Sequence, residues 1–396
     1  MTHFPKQLSD KLNQRKENQS LRKLSAQNNL IDFSSNDYLG LSKCEIIFNK
    51  THQYLVENNS KFNGATGSRL LSGNHNLYTI TEEFITHFHQ SESALIFNSG
   101  YDANIGFFSA VPQRNDIILF DELCHASIRD GITMSNAKSF KFNHNDLEHL
   151  EKLLKKYSTT QNPQLETRNP KPETIYIVTE SVFSMDGDSP NLENLVNLST
   201  KYNCNLVLDE AHALGVFGEN GEGLIQELKL QNQIFARIIT FGKALGCHGA
   251  AILGNEELKS YLINFARSFI YTTALSPHSV ATILIGYQEL ENQKEAILKL
   301  KNNIQFFNQQ KTILGLKQLF VRNKSAIQSA IIPGNENVKH IANQLQENGF
   351  DVKAILSPTV PKGQERLRFC LHSYNSEKEI SDVLQLLSTF VFKPQI

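Results

Sequence analysis

Amine, carboxylate and imidazole side chains recur directly after short apolar runs in this 396-residue chain. Asp209 follows the run 204–208 and His212 comes three residues later, while Thr240 and Lys243 close the run 235–240. His125 follows 117–120 and Ser184 follows 174–179. Ligands of open parallel sheets sit beyond the carboxyl ends of the strands, so polar residues there are the first candidates for chemistry. An amine can form an imine, a carboxylate can keep a pyridinium nitrogen protonated, and an imidazole can stack on a flat ring. Those are the parts that pyridoxal-phosphate chemistry asks of a protein. Each is weak alone: an aspartate at a strand end is often a helix cap, a lone histidine is usually packed or solvated, and Lys243 by itself reads as a surface lysine.

Lys243 lies in Thr240-Phe-Gly-Lys-Ala-Leu-Gly246, whose small residues allow close backbone approach. Shielding from water and imine formation both lower lysine basicity, which suits proton transfer near neutral pH. Ser99-Gly100-Tyr101 follows the run 94–97 and precedes a helix-like stretch, so its backbone N–H groups can hold a phosphate or merely cap a helix.

The elements that must position these residues follow from pattern. The runs 94–97, 117–120, 174–179, 204–208 and 235–240 are short and apolar, and most are rich in β-branched residues, as buried strands are. Residues 192–202 carry apolar positions at helical spacing and read as a βαβ crossover. Residues 162–172, with three prolines, read as a surface loop. A long helix is expected over 289–310, then a strand at 326–332, a helix at 338–348 closed by Gly349, strands near Val352 and Arg368, and a last helix opened by a Ser376/Glu379 capping box. The expected division is an N-terminal arm over 1–45, amphipathic through Leu8, Leu12 and Leu21, a large domain over 46–288 and a small α/β domain over 289–396.

Lysine plus arginine (39) nearly balance aspartate plus glutamate (40), a net charge of -1 that favours neither nucleic acid nor an anionic membrane. The polar start lacks the apolar core of a signal peptide and no apolar run reaches membrane-spanning length, so a cytoplasmic location is expected. Five scattered cysteines without a CxxC pair argue against a disulfide framework or a zinc site, and no metal is expected.

Several long segments resemble the α-oxoamine synthases: Asp32-Phe-Ser-Ser-Asn-Asp-Tyr-Leu-Gly40, Gly67-Ser-Arg-Leu-Leu-Ser-Gly-Asn-His75, Val182-Phe-Ser-Met-Asp-Gly-Asp188, Asp209-Glu-Ala-His212, 240–246, and Pro358-Thr-Val-Pro361 with Arg366-Leu-Arg368. The resemblance runs nearly end to end. It implies an α/β protein of the fold type I pyridoxal-phosphate class, with a mainly parallel seven-stranded sheet between helices, a small C-terminal domain, and a homodimer with shared active sites. It implies that Lys243 carries the cofactor, Asp209 pairs with the ring nitrogen, His125 stacks on the ring and His212 bonds the ring hydroxyl. Ser184 and Thr240 would line the pocket, and the phosphate would meet Ser99, Gly100 and Tyr101, joined by Thr272 or Thr273 of the other subunit. Asn36 and Arg368 would hold an amino-acid carboxylate, with Arg22 and Thr359 as further substrate contacts.

Within the family the segments point to the biotin-pathway branch, which joins L-alanine to a pimeloyl thioester of coenzyme A or acyl carrier protein with loss of carbon dioxide. Glycine C-acetyltransferase, 5-aminolevulinate synthase and serine palmitoyltransferase are the alternatives. Departures at Asn63-Gly-Ala-Thr-Gly67, Tyr101, Ser181 and Ala213-Leu214 bear on the acyl pocket. Asp209-Glu-Ala-His212 also spells a helicase signature, but such enzymes need a GxxxxGK[ST] loop, and here Arg237 takes the first glycine's place and Ala244 follows Gly242-Lys243. A catalytically silent relative would have little reason to keep Lys243, Asp209, His125 and His212 together.

Overall fold

Alternating side chains on buried strands must find apolar cover on both sides, and the chain meets that demand with one large sheet between helices. The structure, a computed structural model, describes residues 4–18, 20–22, 24, 29–158 and 173–392. Seven strands form the sheet: β1 (Ser93–Phe97), β2 (Ile117–Asp121), β3 (Lys138–Phe142), β4 (Ile175–Glu180), β5 (Asn205–Asp209), β6 (Ala236–Thr240) and β7 (Ala250–Gly254). Their order is β1-β7-β6-β5-β4-β2-β3. β7 runs antiparallel to both neighbours, and every other pair is parallel.

The five expected runs are β1, β2, β4, β5 and β6, and the helix Leu192–Lys201 joins β4 to β5 as expected. Ile118, Val178 and Val207 pack on one face with Phe107, Phe108 and Ile128. Their neighbours Leu119, Ile177 and Leu208 pack on the other with Leu150, Leu195 and Val196. The proline-rich stretch 162–172 lies outside the described residues. The expected helix over 289–310 is instead two, Pro277–Leu290 and Lys294–Ile313, with a turn between them in which Asn292 N–H bonds to the Glu289 carbonyl.

The chain forms two compact units, one of Asn36–Ser184 with Ser189–Leu298, the other of Met1–Ser35, Met185–Asp188 and Lys299–Ile396. In the second, β8 (Ile327–Ile331), β9 (Lys353–Ile355) and β10 (Arg366–Cys370) make an antiparallel sheet in the order β9-β10-β8. Ile31 and Asp32 pair with Phe350 and Asp351. The expected helix closed by a glycine is Asn335–Glu347, with Gly349 at φ +93. The capping box is formed: Ser376 N–H donates to Glu379 Oε2 at 2.7 Å and Glu379 N–H to Ser376 Oγ at 3.2 Å. The N-terminal helix Lys6–Glu17 buries no residue, and Leu8 and Leu12 are each 45% exposed. Among the described residues no helix is long and apolar enough to cross a membrane.

One buried histidine makes the first unit acid-sensitive. His89 is wholly buried, with Nε2 2.9 Å from Tyr287 Oη and Nδ1 3.1 Å from Gln226 Oε1. Burial pulls its imidazole well below the usual range. The folded state therefore stays unprotonated where the unfolded chain takes up a proton, so stability is lost as pH falls below about 6.5, by up to roughly 1.4 kcal/mol per pH unit. Urea unfolding at pH 7.5 and 5.5 checks this; a His89→Gln variant should show a shallower pH slope than the parent.

Candidate active site

β2, β4, β5 and β6 all end on the same edge of the sheet, because parallel strands share a direction, and the candidate residues follow those ends. Asp209 is the last residue of β5 and is buried. Its Oδ1 accepts the Ala211 N–H at 2.9 Å, and its Oδ2 accepts from Asn104 Nδ2 at 2.9 Å. Asn104 belongs to α1 (Gly100–Ala110), and its other amide hydrogen goes to Ser127 Oγ at 3.0 Å. A carboxylate braced at both oxygens has a fixed direction.

His125 caps α2 (Ala126–Met134). Its Nδ1 accepts the Ser127 N–H at 3.2 Å and lies 2.7 Å from Ser127 Oγ. Accepting at Nδ1 leaves the neutral ring's proton on Nε2. Burial pulls this imidazole below its usual range, the Asp209 charge opposes that pull, and the Lys243 ammonium adds to it. Lys243, Asp209 and His125 thus share one electrostatic neighbourhood.

Lys243 is half-buried on the loop after β6, and its Nζ donates to Thr240 Oγ1 at 3.2 Å. Backbone bonds Gly246 N–H to Lys243 O (2.9 Å), Cys247 N–H to Phe241 O (2.8 Å) and Phe241 N–H to Gly249 O (3.0 Å) close that loop. Gly246 has φ +65, and a Cβ there would lie 2.2 Å from Ser42 N. The small residues around Lys243 therefore do permit close packing.

His212 is buried with Nδ1 2.7 Å from Tyr38 Oη, and Tyr38 Oη donates to Asn36 Oδ1 at 3.3 Å. Asn36 thereby joins the His212 side of the site. Ser99 Oγ accepts the Asp102 N–H at 3.0 Å and opens α1. The N–H groups of Gly100 and Tyr101 meet no acceptor among the described residues, and a Cβ on Gly100 would lie 2.6 Å from Thr240 Cγ2. Bare amides at a helix start, held against a strand end by a glycine, suit an anion. Thr272 Oγ1 and the Thr273 carbonyl accept from Asn98 Nδ2 at 3.1 and 2.7 Å, next to Ser99 in the same chain. Tyr101 points its hydroxyl to Asp130 Oδ2 at 2.7 Å and is half exposed.

The other candidates belong to the second unit. Arg368 is buried at the centre of β10, opposite Ser329 and Lys353, with Nη1 2.9 Å from Cys370 Sγ. Arg22 Nη2 donates to Thr359 Oγ1 at 3.3 Å, so the two expected substrate contacts meet each other.

Sequence reasoning missed Asn104, Ser127 and Glu180. Glu180 ends β4 opposite Asp209, and its Oε1 accepts the His125 N–H at 2.6 Å. Burial first, and then the Asp209 charge, push its carboxyl well above the usual range; the Ser184 N–H also bonds to it. Asn104 had a signal: it lies four residues after Gly100, a polar side chain on the buried face of an apolar helix.

The family model Aminotransferase class I and II matches residues 28–387. The 8-amino-7-oxononanoate synthase of Emericella nidulans is 38% identical over 97% of this chain and 95% of its own. The solved 8-amino-7-oxononanoate synthase of Francisella tularensis superposes with a TM-score of 0.76 at 30% identity, over 92% of this chain and 98% of that one. A structure of SPT with PLP superposes with a TM-score of 0.81 at 26% identity, over 91% of this chain and 87% of that one. A match of this extent, on a sheet that gathers lysine, aspartate and histidine at one edge, leaves one assignment: the chain belongs to the class I and II aminotransferase family, in the branch that holds the 8-amino-7-oxononanoate synthases.

Proposed function

We propose that the chain joins L-alanine to a pimeloyl thioester with loss of carbon dioxide, the 8-amino-7-oxononanoate synthase reaction, using pyridoxal phosphate. The observation that carries this reading is Lys243 within hydrogen-bonding distance of Thr240, in the neighbourhood of an Asp209 braced at both oxygens. The residues fit the cofactor. Bare amides at Gly100 and Tyr101 suit its phosphate, and amine, carboxylate and imidazole suit its aldehyde, ring nitrogen and ring face.

When bound, pyridoxal phosphate supplies an aldehyde for an amine and a ring that accepts electron density released at a substrate carbon. Lys243 Nζ, half-buried beside Thr240, takes a proton from the amino-acid α-carbon and later returns one. Asp209 keeps a proton on the ring nitrogen, and Asn104 keeps Asp209 aimed. His125, fixed by Ser127, offers a neutral flat face, and His212 with Tyr38 takes the ring hydroxyl. Ser184 and Thr240 line the pocket, and Thr272 or Thr273 adds a hydroxyl for the phosphate of a neighbouring subunit. Asn36 and the Arg368 fork hold the alanine carboxylate, and Arg22 and Thr359 contact the acyl donor. The enzyme acts as a cytoplasmic homodimer in this reading.

The higher TM-score to SPT favours a serine-using alternative on backbone shape alone, whereas sequence identity favours alanine. Alanine, glycine and serine assayed against pimeloyl, acetyl and palmitoyl thioesters, with release of free thiol as the readout, separates them. Alanine with pimeloyl thioester is expected to lead in kcat/KM by roughly 10-fold or more over each competitor. Equal or better turnover of serine or glycine would reassign the substrate.

A further inference from the structure

One buried side chain at the active edge of the sheet has no part in the chemistry assigned above. Glu180, the last residue of β4, is 3% exposed, and its Cα pairs with that of Asp209 at the end of β5. Successive side chains of a strand leave opposite faces, so two residues in register on neighbouring parallel strands leave the same face. Two carboxyl groups thus sit side by side in a dry interior. Asp209 is braced by Asn104 Nδ2 and the Ala211 N–H. Glu180 reaches two other segments: its Oε1 accepts the His125 N–H at 2.6 Å, and its carboxyl also takes the Ser184 N–H.

His125 opens α2, whereas Ser184 lies on the turn after β4. That turn is pinned at two further points. Ser181 N–H donates to the Asp209 carbonyl at 2.9 Å, and the buried Phe183 ring meets the His144 ring edge-on at 4.4 Å. We propose that Glu180 is a positioning residue of this site, a single buried carboxyl group that ties the backbones of His125 and Ser184 together and so sets where the ring-stacking imidazole and the pocket-lining hydroxyl stand. The inference rests on the pyridoxal-phosphate reading above and adds a residue to it. Glu180 acts as a neutral acid. Burial and then the Asp209 charge hold its proton on, and they outweigh the Lys243 charge and the two N–H bonds, which favour ionisation. A neutral neighbour leaves Asp209 as the anion of the pair.

The test uses the full chain in three variants. Glu180→Asp pulls the acceptor back by one methylene, Glu180→Ala removes it, and Glu180→Gln keeps an acceptor oxygen of the same reach that cannot ionise. Cofactor affinity is read by titrating cofactor-stripped protein with pyridoxal phosphate and following its visible absorbance, with melting temperature as the control for folding. The Ala and Asp variants should each raise the cofactor Kd roughly 10-fold and lower kcat by a similar factor, as loss of a buried bond to a positioned group does. Glu180→Gln should recover most of both losses. In a His125→Ala background, Glu180→Ala should lower kcat by less than about threefold, because its effect passes largely through the imidazole it places. A Gln variant as impaired as Ala would mean that a charge is needed at this position, and full additivity with His125→Ala would mean that Glu180 serves folding alone. Either result overturns the assignment, as does an Ala variant with the parent's Kd and kcat. If the Ala variant does not fold, the other two decide: tighter cofactor binding by Gln than by Asp supports the assignment, and equal binding overturns it. The titrations need no acyl donor. A parent that binds the cofactor yet turns over no pimeloyl thioester would remove the reaction assigned above and leave Glu180 tested, whereas a parent without cofactor affinity would overturn both.

Discussion

Lys243→Ala is expected to lower turnover by roughly 10³-fold or more and to remove the visible absorbance of a protein-linked cofactor. The size follows from two losses at one atom. General acid–base help from a positioned side chain is worth about 10²–10⁴-fold, and covalent attachment of the cofactor disappears with the same amine. The fold should survive, because Lys243 is half-buried and the loop that carries it is closed by backbone bonds from Phe241, Gly246 and Cys247 that an alanine keeps. Melting temperature therefore serves as the control. Small primary amines added to the variant should restore part of the turnover, which separates loss of a proton carrier from collapse of the pocket. A variant that keeps the parent spectrum and rate would remove Lys243 from the chemistry.

The edge of the sheet that carries the site is legible because buried parallel strands are written as apolar, β-branched runs, and each run here stops at a polar residue: Asp209, Thr240, or Asp121 shortly before His125. Two strands escape that reading for opposite reasons. β3, Lys-Ser-Phe-Lys-Phe, lies at the edge of the sheet and exposes both lysines, so it looks like a polar stretch. β7, Ala-Ala-Ile-Leu-Gly, is wholly interior but built mainly of small and γ-branched residues. The break at 291–293 is equally silent, since Glu-Asn-Gln contains neither glycine nor proline. Long-range partners are harder still. Glu180 reads as one more strand-end carboxylate until strand pairing sets it opposite Asp209 and under the His125 backbone. Tyr38 sits inside a motif that resemblance marks, yet its bond to His212 spans 174 positions.

Asp209→Asn is expected to cut kcat by roughly 10²–10³-fold while the protein still binds pyridoxal phosphate, about 3–4 kcal/mol of transition-state stabilisation at 1.36 kcal/mol per tenfold. The amide keeps the shape but not the charge that holds a proton on the ring nitrogen. It also disturbs the brace: Asn104 Nδ2 now donates to Asp209 Oδ2, and an amide nitrogen turned toward it would set donor against donor. The acceptor for the Ala211 N–H is kept if the amide oxygen takes the Oδ1 place, so the loop after β5 should hold. Asn104→Ala alone should cost less, roughly 10-fold, because the carboxylate remains and only its aim is loosened. The two effects cannot add in full, since Asn104 acts through Asp209, and the double variant should resemble Asp209→Asn alone. Steady-state kinetics on the three variants, with cofactor content measured in each, checks the scheme. Full additivity would mean that Asn104 acts on the reaction by another route, and an Asp209→Asn enzyme above a tenth of the parent kcat would mean that the ring nitrogen's proton does not depend on this carboxylate.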